Sequence, residues 1–111
     1  MIVFRHGIQW CPDHAANVEL LMARLTAELA GDAEFEAGFV RDDAAAEARA
    51  AGVYKLDAVH EKYTYVAAMI VTDLVAEGPG VYENTLPDAA EAYDELVKLR
   101  TLMARKLPDG I

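Results

Sequence analysis

The chain has 111 residues, of which 54% are hydrophobic and 26% charged, the composition of a packed globule rather than a disordered chain. Chains usually divide into domains only beyond ~250 residues, so we expect a single domain over residues 1–111. The formal net charge of -9 repels phosphate backbones and argues against direct binding to nucleic acid.

The sequence also indicates in which cellular compartment the protein is expected. No apolar run approaches the ~20 residues that a membrane-spanning helix needs, so we expect no membrane partner. The N-terminus lacks the basic-then-apolar layout of a secretory signal. Cys11 has no second cysteine with which to pair. We therefore expect a cytoplasmic protein.

The first ten residues predict a short β-strand. Ile2, Phe4, Ile8 and Trp10 fall on alternate positions, which is the period of a half-buried strand. We place this strand at about residues 2–9. The sequence shows no obvious hairpin partner for it, so its edge is available to another chain.

The first long helix is predicted between Pro12 and Gly31. Proline favours the first helical position and glycine the residue just past the end. At 100° per residue the apolar positions between them form one stripe. The stripe consists of Val18, Leu21, Met22, Leu25 and Leu29.

The middle of the chain predicts one or two short helices over residues 32–52, with Asp43 as an N-cap, and then a central helix. The central helix begins near Asp57 and runs to Gly78. Its apolar residues lie on more than one side, so we expect it at the centre of the fold. A strand over residues 63–72 is the alternative, which an alanine pair within it disfavours.

The last helix is predicted to begin at the capping box of residues 85–88 and to end before Pro108. Its apolar stripe is expected to contain Leu86, Ala90, Tyr93, Leu96, Val97, Ala104 and Leu107. Together these elements predict a mainly α fold, a small bundle of about four helices with a short N-terminal β-strand.

Arg100 lies within this predicted stripe. A buried charge needs a partner, and Asp73, late in the apolar central helix, is the natural one within the chain. We therefore predict an inward-facing Asp73–Arg100 pair. The alternative is that the Arg100 side chain extends to the rim of the stripe and reaches water.

Leu99 and Leu102 fall outside the predicted stripe and would face solvent in a monomer. Exposed apolar patches of this kind are typical of protein interfaces. With Trp10 on the unpaired strand, they form the predicted interface of the protein.

Three residues at the start of the central helix are the candidates for chemistry. Asp57 and Glu61 share a helix face, and His60 lies roughly 60–100° round from them, so the three could bind a metal ion or act as an acid–base group. His6 and His14 could add to such a site if the fold brought them near. Carboxylates in a first helical turn also stabilise the helix dipole, without any site. No cofactor is predicted.

Three functional hypotheses follow. The first is a non-catalytic protein-binding or assembly subunit, which explains the surplus apolar positions and the lack of glycine-rich, paired-cysteine or serine-elbow motifs. The second is a small metal-binding or acid–base enzyme centred on Asp57, His60 and Glu61. The third is an acidic decoy of a basic or nucleic-acid-binding surface, based on the acidic stretch from Glu28 to Glu47. The first predicts self-association or a protein partner.

Overall fold

The structure, a computed structural model, describes residues 1–36, 47, 51–52, 54–55, 61–82 and 87–107. The fold is mainly α, as predicted. In chain order the elements are β1 (Ile2–Phe4), β2 (Ile8–Trp10), α1 (Ala15–Glu28), a single turn α2 (Ala33–Phe35), β3 (Tyr54–Lys55), α3 (Glu61–Glu77), a 3₁₀ turn (Pro79–Tyr82) and α4 (Ala89–Lys106).

The N-terminal segment is a β-hairpin, where the sequence had predicted one strand. β1 and β2 are antiparallel, with Ile2 opposite Trp10 and Phe4 opposite Ile8. The chain reverses through His6 and Gly7, whose φ angles of 65° and 72° lie in the left-handed region. The predicted alternation is correct, because these four apolar side chains are all buried.

β3 completes a three-stranded sheet of order β2–β1–β3. It lies parallel to β1, with Ile2 opposite Tyr54. Both sides of β1 are therefore paired within the chain. The expectation that the N-terminal strand offers a free edge to another chain is wrong for β1.

The helices end where glycine allows a left-handed backbone. α1 ends at Glu28, and Gly31, which has a φ of 88°, completes the turn that follows. α3 stops at Gly78, whose φ is 84° and whose N–H donates to the carbonyls of Leu74 and Val75. Both ends were predicted from the sequence. α1 begins at Ala15, three residues after the predicted Pro12.

α3 packs against both α1 and α4 and lies at the centre of the fold, as predicted. It buries residues from Tyr63 to Val75 on several faces, and Met69 remains 58% exposed. The strand alternative for residues 63–72 is therefore excluded. In the described part of the chain, the largest fully buried side chains are Tyr63, Phe4, Phe35, Ile2, Ile8, Leu21, Leu25, Leu74, Leu96, Leu99 and Met103.

Asp32 joins α2 to α3. Its carboxylate accepts hydrogen bonds from the Phe35 N–H (3.0 Å) and the Tyr63 hydroxyl (2.7 Å), and Lys62 Nζ lies 3.1 Å away. The Phe35 N–H, and after it the Tyr63 hydroxyl and the Lys62 ammonium, lower the pKa of Asp32 to about 2. Burial, and after it the hydrogen bond to Asp32, raise the pKa of Tyr63.

The lowered pKa of Asp32 predicts an acid-dependent contribution to stability. A carboxyl group whose pKa is lower in the folded protein stabilises the fold above its ordinary pKa of 3.8, and this contribution is lost as the pH falls to about 2. We expect Asp32→Asn, which keeps an acceptor oxygen but removes the charge, to lower the free energy of unfolding at pH 5. The difference from the wild type should shrink between about pH 4 and pH 2.

Urea unfolding of both proteins across this pH range provides the measurement. Asp94→Asn, at an exposed position of α4, is the matched control and should show little effect. A difference between wild type and Asp32→Asn that is the same at pH 5 and at pH 2 would contradict the assignment.

Candidate functional site

A cleft of about 260 Å³ lies between the start of α1 and the last helix. Residues 10–13, which connect β2 to α1, form one wall. Glu95, Lys98, Leu99 and Leu102 of α4 form the other. The cleft therefore combines apolar side chains with a lysine, and Cys11 at its edge is exposed.

The three residues of the predicted interface meet in this cleft. Trp10 and Leu99 are 8% and 1% exposed, and Leu102 is half-buried. The prediction that Leu99 points to solvent is wrong, because α4 turns this side chain into the core. The predicted stripe was rotated from the true one, since Ala90 and Ala104 are exposed. The observed stripe consists of Ala92, Leu96, Leu99, Met103 and Leu107.

Glu95 holds the two walls of the cleft together. Its carboxylate accepts hydrogen bonds from the backbone N–H groups of Asp13 (3.0 Å) and His14 (3.4 Å), and from Asn17 Nδ2 (2.9 Å). These N–H groups belong to the two residues that precede Ala15, and a negative charge at the start of a helix suits the helix dipole. Glu95 thus caps α1 from another helix, a role that the N-cap residue His14 does not fill with its own side chain.

Asn17 extends this network into the core. It is fully buried, and its Nδ2 also donates to the backbone carbonyl of Ala92 (3.0 Å). Its Oδ1 accepts a hydrogen bond from the hydroxyl of Tyr82 in the 3₁₀ turn. Burial, and after it the charge of Glu95, raise the pKa of Tyr82 to about 12. The network fixes three elements, α1, the 3₁₀ turn and α4, around the cleft.

A second groove of about 250 Å³ continues along the outer surface of α4. It is lined by Val97, Lys98, Thr101, Leu102 and Arg105, and shares Lys98 and Leu102 with the cleft. Val97 and Leu102 are half-buried, and the other three side chains are exposed. The surface formed by the cleft and this groove is called the α4 surface below.

The predicted buried pair of Asp73 and Arg100 does not form. Asp73 is exposed, Arg100 is half-buried, and no ion pair joins them among the described residues. Arg24 pairs with Glu77 at 3.0 Å, and this hydrogen bond, with a smaller contribution from the charge of Asp73, raises the pKa of Arg24. The end of α3 that carries these acidic residues therefore faces α1.

The candidates for chemistry are only partly described. Asp57 and His60 lie outside the described residues. A hydrogen bond joins Glu61 to His6, with His6 Nε2 2.7 Å from Glu61 Oε1. His14 lies elsewhere, 3.9 Å from carboxylate oxygens of Glu91 and Glu95. Among the described residues, no group of three or more His, Cys, Asp or Glu side chains is arranged to hold a metal ion.

Sequence reasoning missed Asn17, Tyr82 and Glu95. Asn17 carried a signal, because it lies one helical turn before Leu21 and two before Leu25 on the buried stripe of α1. A polar residue at a core position usually has hydrogen-bond partners in the fold. No sequence signal connects Glu95 to residues 13–17, which lie about eighty positions earlier in the chain.

Comparisons of the chain with protein-family models, with curated proteins and with solved structures found no match. In the part of the chain that the structure describes, no helix combines the length and the apolar character needed to cross a membrane.

Proposed function

We propose that the protein is a non-catalytic protein-binding or assembly subunit and that the α4 surface is its binding site. The observation that carries this proposal is that Trp10, Leu99 and Leu102 line one cleft, which continues into the groove along α4. Apolar walls suit the insertion of an apolar side chain, and Lys98 and Arg105 at the rim suit carboxylates. The partner is therefore a protein segment that carries apolar and acidic side chains.

The charge distribution supports this choice of partner. The chain has a net charge of -9, yet Lys98, Arg105 and Lys106 are all exposed in the second half of α4. A cationic patch on an acidic protein gives an incoming acidic segment a preferred place to approach, because complementary charges steer encounter and exclude other orientations.

The Glu95 carboxylate supports a non-catalytic role for the cleft. It already accepts hydrogen bonds from two backbone N–H groups and from the Asn17 amide, and these bonds hold α1 against α4. A general acid or base must exchange a proton during the reaction, which would disturb this cap. Glu95 is thus a positioning residue for the walls of the binding site.

Site-specific photo-crosslinking tests the proposal. A photoreactive amino acid at Thr101, an exposed position in the groove, should give a crosslink to one partner segment in cells that produce the protein naturally. The same amino acid at Met69, which is 58% exposed on α3, is the control and should not give this crosslink. Mass spectrometry of the crosslinked peptide should identify a segment with both apolar and acidic side chains.

Crosslinks that are equal at the two positions, or absent at Thr101, would argue against a binding site on the α4 surface. A crosslinked segment without carboxylates would contradict the proposed role of Lys98 and Arg105.

A further inference from the structure

We infer that the partner of the α4 surface is α4 of a second copy of this chain, packed antiparallel about a two-fold axis. This inference rests on the proposed function and names the occupant of the same surface. The axis lies between the two copies of α4, level with the peptide bond that joins Leu99 to Arg100.

The outward face of α4 has a symmetric spacing of residues. Positions 94, 97, 98, 101, 102 and 105 follow one another at intervals of three, one, three, one and three residues, so they lie on one side of a helix. This series reads the same in both directions. When the helix is turned end over end about its midpoint, each of these six positions is replaced by another of the six.

Two of the three charges on this face, those of Asp94 and Arg105, are complementary under that rotation, whereas the two Lys98 side chains come near each other at the axis. Two antiparallel copies place Asp94 of one helix level with Arg105 of the other, and the symmetry forms this pair twice. Both side chains are exposed and able to meet a partner. A parallel arrangement would bring Asp94 against Asp94 and Arg105 against Arg105. Like charges repel, so the charges favour the antiparallel pairing.

The apolar residues follow the same symmetry. Val97 of one copy comes level with Leu102 of the other, and Lys98 comes level with the neutral Thr101. Val97 and Leu102 are each half-buried in the single chain, so both retain apolar surface to cover. A second copy thus supplies both kinds of side chain that the α4 surface suits, apolar groups and carboxylates.

The size of the face predicts a weak dimer. α4 has 18 residues, which at 1.5 Å per residue gives a length of roughly 27 Å. A helix is about 10 Å wide, so the footprint is far below the ~800 Å² per partner of a standard stable interface. We therefore expect association that depends on protein concentration rather than an obligate dimer.

Sedimentation equilibrium of the full chain from micromolar to millimolar concentration tests the inference. The average mass should rise from 12.1 kDa toward twice that value. Asp94→Arg and Arg105→Glu should each weaken dimerisation about tenfold, because each turns two attractive pairs into repulsive ones. The double variant Asp94→Arg with Arg105→Glu restores opposite charges and should recover the wild-type dissociation constant.

Two controls match these changes in charge. Glu19→Arg alters the net charge as Asp94→Arg does, on the exposed surface of α1. Arg5→Glu alters the net charge as Arg105→Glu does, at an exposed position of the N-terminal hairpin. Both controls should dimerise like the wild type, and circular dichroism should show that every variant folds.

The possible results separate this inference from the proposed function. A mass of 12.1 kDa at every concentration overturns the second-copy inference. In that case, a crosslink from Thr101 to a different acidic protein leaves the proposed function standing. If the protein dimerises but the double variant does not recover, or if the controls weaken association equally, the antiparallel α4 pairing is wrong. If Thr101 forms no crosslink and the chain does not dimerise, both proposals fail.

Discussion

Leu99→Ala should lower the free energy of unfolding by about 2–5 kcal/mol, the cost of removing a buried leucine and leaving a cavity. Leu99 is 1% exposed and lies on the inward face of α4 with Leu96 and Met103. Few neighbours can move to fill the space, because protein interiors are closely packed. A domain of this size has a total stability of roughly 5–15 kcal/mol, so the loss is a large part of it.

Leu102→Ala is the matched control, since it makes the same change three residues later on the same helix. Leu102 is half-buried beside the groove, so its truncation removes less buried apolar surface and should cost under about 1 kcal/mol. Urea unfolding of the two variants gives the comparison. The opposite ranking, with Leu102→Ala the more damaging, would mean that α4 buries the face predicted from its sequence pattern.

The burial of Leu99 also decides which variants can test the interface. Leu99→Glu would place a charge at a fully buried position and should prevent folding, because an unpaired buried charge costs several kcal/mol. Its effect on binding would be uninformative. Substitutions on the exposed face of α4, such as Asp94→Arg and Arg105→Glu, keep the core intact.

The second large effect is expected for Asn17→Ala, at about 3 kcal/mol, because a buried polar group left without its partner costs ~1–3 kcal/mol. The substitution removes the amide that binds the Ala92 carbonyl, the Glu95 carboxylate and the Tyr82 hydroxyl. The Tyr82 hydroxyl is in the core and loses its hydrogen bond to Asn17. The cap of Glu95 on the start of α1 is weakened by the same change.

Gln9→Ala is the control for Asn17→Ala, since it removes another side-chain amide at an exposed position of β2. It should change the free energy of unfolding by no more than ~0.5 kcal/mol. Chemical unfolding of both variants provides the measurement. If Asn17→Ala were as mild as Gln9→Ala, the buried network would not be a principal link between α1, the 3₁₀ turn and α4.

The local pattern of residues was enough to place much of the fold. The alternation of Ile2 and Phe4 with Ile8 and Trp10 predicted buried strand residues, and all four are buried. Gly31 and Gly78 predicted the ends of α1 and α3, because glycine adopts the left-handed backbone there without a steric cost. These features depend on neighbours a few residues apart, so a single sequence contains the information.

Features that depend on distant residues were not predictable in this way. The parallel pairing of β1 with β3 joins Ile2 to Tyr54, and nothing near either residue encodes the other. The hydrogen bonds by which Glu95 caps the start of α1 were not predictable for the same reason, because they join Glu95 to the distant Asp13 and His14. The sequence pattern therefore placed the start of α1 three residues too early.

For the candidate site too, some features were predictable from the sequence and others depended on the tertiary structure. The sequence by itself determined that α4 is a helix with apolar residues on more than one side, and it predicted Trp10, Leu99 and Leu102 as interface residues. Only the tertiary structure decided which side is buried. Helical period alone cannot choose between two apolar faces, since either could pack. Contact of α4 with α3, and the hydrogen bonds of Glu95 to α1, turn Leu99 inward and leave Val97 and Leu102 along the outer groove.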